Sequence, residues 1–246
     1  MKVKICGITR SEDLLRCEES GAELMGFINI DRSKRNLSLK KIKTLVSEMK
    51  NKRKAVLVLE PADIEEVVMK MKKTGVRNVQ LHSLTPNQIK YLRWIENYKR
   101  NPYEQRIKIF RAVGLSEDST ELVDGKIKLS NDKIKEIEGF ALICDAIILD
   151  YQIKGKSGGT GKQIPLKIAL EAVKTAKNVD KNVEIFLAGG INTETLKNNK
   201  NILEKVFDYV DINSGIEDAP GIKNSKQLEK VLNIWNENLF DSQILI

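Results

Sequence analysis

The sequence predicts an α/β fold, a single (β/α)8 barrel of the TIM type covering residues 1–246. Three observations lead there. Eight short runs rich in Val, Ile and Leu recur along the chain with little polar alternation, as strands buried on both faces require. Each run is followed by a stretch with the apolar spacing of an amphipathic helix. Eight such units in 246 residues give roughly 31 residues per unit, which matches a barrel. The rival, a doubly wound open sheet, usually has fewer strands and a glycine-rich first turn. Here the first turn reads CGIT and lacks G-x-G-x-x-G.

The first unit joins VKICGI (3–8) to SEDLLRCEES (11–20), where Ser11 ahead of Glu12 and Asp13 reads as a helix start. LMGFINI (24–30) leads into LKKIKTLVSEMK (39–50), and KAVLVLE (54–60) into ADIEEVVMKMKK (62–73). NVQLHS (78–83) precedes PNQIKYLRWIENY (86–98), and RIKIFRAVGL (106–115) precedes NDKIKEIEG (131–139). The sixth unit is CDAIILDY (144–151) with PLKIALEAVKTA (165–176). VEIFLAGGI (183–191) feeds TETLKNNKNILEKV (193–206), opened by Thr193 before Glu194, and DYVDINSG (208–215) feeds SKQLEKVLNIWNENL (225–239). Residues 95–105 and 115–131 exceed a minimal barrel and read as polar surface elaborations. No linker or low-complexity stretch divides the chain.

Composition narrows the function. Hydrophobic residues are 41% and charged residues 31% of the chain, as in a globular domain. The longest apolar runs are too short to span a bilayer, and the N-terminus has no apolar signal core. A cytoplasmic protein is expected, with no membrane partner. Three widely spaced cysteines without a C-x-x-C pair, and one histidine, argue against a disulfide framework or a zinc site. The net charge of +8 raises nucleic acid as a partner, but the lysines interleave with glutamates, as in DIEEVVMKMKK. That pattern reads as solvated helix faces, so no nucleic acid is expected. A small anionic substrate would benefit from the same positive field.

A barrel carries its reactive groups where strands end. Those positions are Cys6, Asn29, Glu60, His82, Arg111, Asp150, Gly189–Gly190 and Asn213–Ser214–Gly215. AGGIN and NSGIE each follow an apolar strand, and their glycines let backbone N–H groups approach a phosphate closely. The alternative is a bare helix-entry turn. No arginine follows Arg111, so a phosphate held in the second half must rely on backbone, helix N-termini and lysine. GKSGGTGKQ (155–163) lacks Walker A spacing, with Lys156 and Gln163 at two decisive positions. It reads as a lid over the mouth or as a merely flexible loop. Asp150, after four apolar residues, is a loop starter or a buried acid with a raised pKa. Cys6 is an inert core thiol or a reactive one, whereas Cys17 and Cys144 read as inert. His82 is structural or substrate-binding. RSKRNLS (32–38) is a solvated loop or an arginine fork for a carboxylate.

Together VKICGIT, GFINIDRSKRNLS, VQLHS, ILDYQIKGKSGGTGK, FLAGGIN and VDINSGIEDAPGIK resemble the phosphoribosylanthranilate isomerase family, in the family's order and from first strand to last helix. The resemblance implies an isomerase of tryptophan biosynthesis that needs no metal and no cofactor. It implies Cys6 as general base and Asp150 as general acid, with Arg35 holding the anthranilate carboxylate. Gly159, Gly189, Gly190, Ser214 and Gly215 would bind phosphate, and His82 and Lys162 are possible substrate contacts. A thiolate at neutral pH would need a lowered pKa. The partner would be a small molecule carrying phosphate and carboxylate, and the assembly a monomer or homodimer. The sequence departs from the family at Asn29-Ile30-Asp31, Ser83 and Asn213, which bears on affinity rather than reaction type. Rival readings with the same barrel are indole-3-glycerol phosphate synthase, the ProFAR-type isomerase, and a non-catalytic phosphate- or nucleic-acid-binding barrel. Cys6 on the first strand, where the ProFAR type uses aspartate, disfavours that one.

Overall fold

The structure, a computed structural model, describes residues 1–99, 106–123, 126–153, 156–157 and 164–235. Eight parallel strands close into a barrel. They are β1 (Lys2–Cys6), β2 (Leu24–Asn29), β3 (Ala55–Leu59), β4 (Asn78–Leu81), β5 (Lys108–Leu115), β6 (Ala146–Ile153), β7 (Glu184–Leu187) and β8 (Tyr209–Ile212). Each pairs with its sequence neighbour, and β8 pairs with β1 to complete the ring. The helices between them are α1 (Ser11–Glu19), α2 (Leu39–Glu48), α3 (Ile64–Thr74), α4 (Pro86–Lys99), α5 (Asn131–Ala141), α6 (Leu166–Val179), α7 (Thr193–Val206) and α8 (Ser225–Asn233).

Strand residues alternate between two cores, which is why the runs read as apolar throughout. Ile5, Leu57, Leu81, Ile147 and Val210 face outward and pack with helix residues such as Leu14, Leu45 and Val67. Val56, Val58, Phe110, Ile148, Phe186 and Tyr209 face inward and fill the barrel. Phe186 stacks on Tyr209 with ring centroids 4.1 Å apart, and Phe110 leans on Phe186 at 5.5 Å. This aromatic plug lies deep in the barrel and leaves the inward positions nearer the strand ends for polar groups.

Two helix starts differ from the expectation. Ser11 is the first residue of α1 rather than its cap; Arg10 precedes it and makes no side-chain cap bond. Asp13 serves the first turn instead, accepting from Arg10 Nε and Nη2 at 3.0 and 2.7 Å. In α7 the capping side chain is Asn192, which accepts from the Thr195 N–H, so Thr193 lies inside the helix. Asparagine caps as well as serine or threonine and stood one residue earlier. The stretch at 115–131 folds as a short antiparallel hairpin of Thr120–Val123 with Lys126–Leu129, exposing Leu122 and Ile127 opposite one another. The stretch at 95–105 begins as the last turn of α4, and residues 100–105 lie outside the described part.

Candidate active site

At the carboxyl ends of the strands lies a cavity of about 370 Å³. Cys6, Arg35, His82, Asp150, Gly189, Gly190, Ser214 and Gly215 all line it, contributed by the ends of or loops after β1, β2, β4, β6, β7 and β8. Gly159 and Lys162, the other two expected site residues, lie outside the described residues.

Cys6 is the last residue of β1 and shares its inward face with Lys4, two residues earlier. Its register partner on β2 is Gly26, and a Cβ there would stand 2.8 Å from the Cys6 sulfur. The glycine therefore makes room for the thiol. Beneath it, Lys4 Nζ donates to Asp211 Oδ2 at 2.6 Å, and both side chains are buried. Burial pushes the Cys6 thiol up; Lys4 pulls against it, Asp211 adds to the rise, and Lys223 again opposes. The balance lies above the ordinary thiol range, contrary to the expected lowering, because desolvation outweighs the nearby ammonium groups. Cys17 and Cys144, buried elsewhere, are pushed up to about 12.

Arg35 stands in the loop after β2. Its Nε and Nη2 fork onto the carboxylate of Glu217, with the Nε contacts at 2.9 and 3.0 Å. Glu217 also accepts from Lys223 Nζ at 2.8 Å, and Lys223 donates to Asn213 Oδ1 at 3.0 Å. Burial alone would raise the Glu217 carboxyl, but the Arg35 and Lys223 contacts outweigh it and hold the carboxyl below its usual range. Gly7 closes this corner with φ +73°, and a Cβ there would come within 2.7 Å of Arg35 Cδ. Arg32, on the same loop, is paired with Glu60 across the rim at 2.7 Å.

The two glycine turns meet each other. Gly189 and Gly190 both have positive φ, +83° and +63°, so backbone rather than side chain forms this wall. A Cβ on Gly215 would lie 2.0 Å from the Ile191 carbonyl oxygen, so the turn after β8 packs directly on the turn after β7. Helix α7 begins just beyond, adding its N-terminal dipole to the same corner. Such a surface suits a dianion.

Asp150 is buried on β6, and His82 sits just past β4 with Gln80 Nε2 3.0 Å from its Nε2. Burial, reinforced by Arg111, lowers the His82 pKa to about 4, so its ring is neutral near pH 7.

Two expected mouth groups go elsewhere. Arg111 is on the outward face of β5: its Nη1 donates to the Leu81 and Ala112 carbonyls, and its guanidinium lies over the Phe140 ring. Asn29 also falls on the outward parity and braces the following loop by donating to the Leu37 carbonyl at 2.8 Å. Lys4, Asp211, Glu217, Lys223, Gly7 and Gly26 were not singled out from the sequence. Gly26 alone carried a local signal, a glycine inside an apolar strand.

A family model described as N-(5'phosphoribosyl)anthranilate (PRA) isomerase matches residues 3–234. An N-(5'-phosphoribosyl)anthranilate isomerase of Methanothermobacter marburgensis is 35% identical over 95% of this chain and 93% of that protein. The protein of the same description from Aquifex aeolicus is 32% identical over 94% of this chain and 97% of its own length. Among solved structures, phosphoribosyl anthranilate isomerase from Thermus thermophilus superposes with a TM-score of 0.72 at 24% identity, covering 97% of this chain and all, 100%, of that one. That likeness bears on the fold; the sequence matches, continuous from β1 through α8, show that this chain belongs to the phosphoribosylanthranilate isomerase family.

Proposed function

We infer that this chain converts N-(5′-phosphoribosyl)anthranilate into 1-(2-carboxyphenylamino)-1-deoxyribulose 5-phosphate, an Amadori rearrangement of tryptophan biosynthesis. The observation that carries the residue assignment is one cavity lined by a thiol from β1, a carboxyl from β6, an arginine and two fused glycine turns. The phosphate rests on the backbone at Gly189–Gly190 and Ser214–Gly215. The carboxylate is drawn by Arg35, and this fixes the ribose between Asp150 and Cys6.

Asp150, in its carboxylic acid form, gives its proton to the furanose ring oxygen and the ring opens to a Schiff base. Cys6, as thiolate, removes the C2′ proton, and the resulting enolamine takes a proton at C1′ as its hydroxyl becomes the ketone. Each acid–base step of this kind is worth about 10²–10⁴ in rate. A thiol held above its usual range is a strong base present in small fraction, so turnover should rise as pH rises above neutrality. The substrate is thus a small molecule with two anionic ends, and the chain works as a monomer or homodimer in the cytoplasm. Loss of phosphoribosylanthranilate fluorescence on adding purified protein tests the reading; absence of turnover by a folded protein sinks it.

A further inference from the structure

We propose that Lys4, clamped by Asp211, is a positioning residue for the reaction: its ammonium sits beneath the Cys6 sulfur and stabilises the negative charge the sulfur must carry. The proposal deepens the reading of Cys6 as base and rests on it. Its basis is geometric. Lys4 and Cys6 are two residues apart on one strand, so both side chains point into the barrel, and the fully buried ammonium lies on the same inward face one step below the thiol. Lys4 is also the direct register partner of Asp211 on β8, which places the carboxylate beside it at 2.6 Å. One of the three ammonium donors is thereby committed to Asp211, leaving others for the sulfur.

The pair is an expensive way to fill a barrel. Lys4 is fully buried, at 0% exposure, and it is among the largest fully buried side chains of the protein. A buried ion pair contributes little stability relative to apolar side chains of the same volume, because both ions lose their water. Val56, Val58 and Ile148 fill neighbouring inward positions without such a cost. Asp211 is not fully engaged either: its Oδ1 is buried and has no hydrogen-bond partner among the described residues. A carboxylate that serves stability alone would be bonded at both oxygens. Asp211 also lines the substrate cavity together with Cys6. What the pair supplies is a fixed positive charge under one atom. Long lysine side chains wander, and Asp211 holds this one still.

Other charged groups reach the same corner and set the background. Lys223 approaches from the short hairpin after β8, Glu217–Ala219 paired with Ile222–Lys223, and is held by Glu217 and Asn213, while Arg35 comes from the loop after β2. Asp150 on β6 and His82 after β4 line the far wall. Lys4 is distinct in lying on the strand of Cys6 itself, and its pull on the thiol exceeds that of Lys223.

The test reads Cys6 directly. Alkylation by iodoacetamide, followed at the Cys6 peptide by mass spectrometry across pH 6–11, reports the thiolate without reference to turnover. Cys17 and Cys144 serve as unreactive internal controls. In Lys4→Met the alkylation midpoint should move alkaline by about one pH unit or more, and the pH profile of kcat should move with it while KM stays put. One unit means about tenfold less thiolate at neutral pH. Because Lys4→Met strands Asp211, the double variant Lys4→Met/Asp211→Asn removes both charges and guards against misfolding. It should move the midpoint the same way by a smaller amount. An unmoved or acid-shifted midpoint in the folded double variant overturns the proposal. A moved midpoint with an unmoved kcat profile upholds the effect on the thiol and instead overturns Cys6 as base.

Discussion

Arg35 and Glu217, 182 residues apart, are joined by a forked ion pair that ties the loop after β2 to the hairpin after β8 across the barrel mouth. The pair aims the guanidinium before any substrate arrives and leaves Nη1 as the edge not bonded to Glu217. Arg35→Ala should raise KM about ten- to hundredfold with a smaller change in kcat, since a charge-assisted bond present in ground and transition state is lost. It should also cost about 1–3 kcal/mol of stability, because Glu217 keeps Lys223 but loses its fork. Steady-state kinetics and urea unfolding read the two effects separately. A fall in kcat at constant KM would remove Arg35 from carboxylate binding.

The three cysteines should separate cleanly. Cys6→Ala should lower kcat by about 10²–10³ with substrate binding largely intact. Cys17→Ala and Cys144→Ala should keep near-normal turnover, since neither lines the cavity and both are far from ionising. Retention of more than about a tenth of kcat in Cys6→Ala contradicts its role as base.

Asp150→Asn keeps the side-chain shape but has no acidic proton to give. Ring opening should stall, with kcat down by about 10²–10³. The loss should shrink for a substrate analogue already ring-opened. Equal losses on closed and open forms would make Asp150 a positioning group.

The barrel was legible because inward and outward strand positions are both apolar, giving eight dense runs against charged helices. The strand expected over 183–191 runs past the end of β7: Ala188 and Ile191 are apolar and buried, yet they lie in the turn beyond Leu187. Cys6, Asp150 and the glycine turns were legible from residue type at strand ends, strengthened by the family resemblance. The supporting ions were not. A lysine or aspartate within a strand reads as solvent-facing, and only barrel closure brings Lys4 to Asp211 across 207 positions. Arg111 and Asn29 were misplaced for a related reason: strand parity depends on where pairing begins, and a one-residue difference exchanges the faces.

His82 should be silent in the pH profile. With its pKa near 4, kcat/KM should show no inflection between pH 6 and 7 from this ring. Stability should show one. The unfolded ring takes up a proton below its ordinary 6.5, while the folded ring resists until about 4. Stability therefore falls as pH drops through that window, and His82→Gln should flatten this part of the decline. Urea midpoints measured from pH 7 to pH 4 check it, and equal slopes in both proteins would contradict the neutral ring.

Gly26 and Gly215 should fail differently when given a methyl group. At Gly26 the backbone accepts alanine, but the new Cβ would lie 2.8 Å from the Cys6 sulfur and 3.2 Å from its Cα. The strand can hold its pairing while the thiol is pushed from its place. Displacing a reacting group by about 1 Å costs on the order of 10²-fold in rate, so Gly26→Ala should lose kcat with KM little changed. At Gly215 the methyl would meet the Ile191 backbone, its oxygen at 2.0 Å and its carbon at 2.9 Å. Backbone cannot swing aside as a side chain does, so the turns after β7 and β8 must part. Gly215→Ala should therefore weaken binding of inorganic phosphate and raise KM, with a lower melting temperature. Titration calorimetry with phosphate on both variants separates the two sites. Normal phosphate affinity in a folded Gly215→Ala protein would move phosphate binding away from these turns.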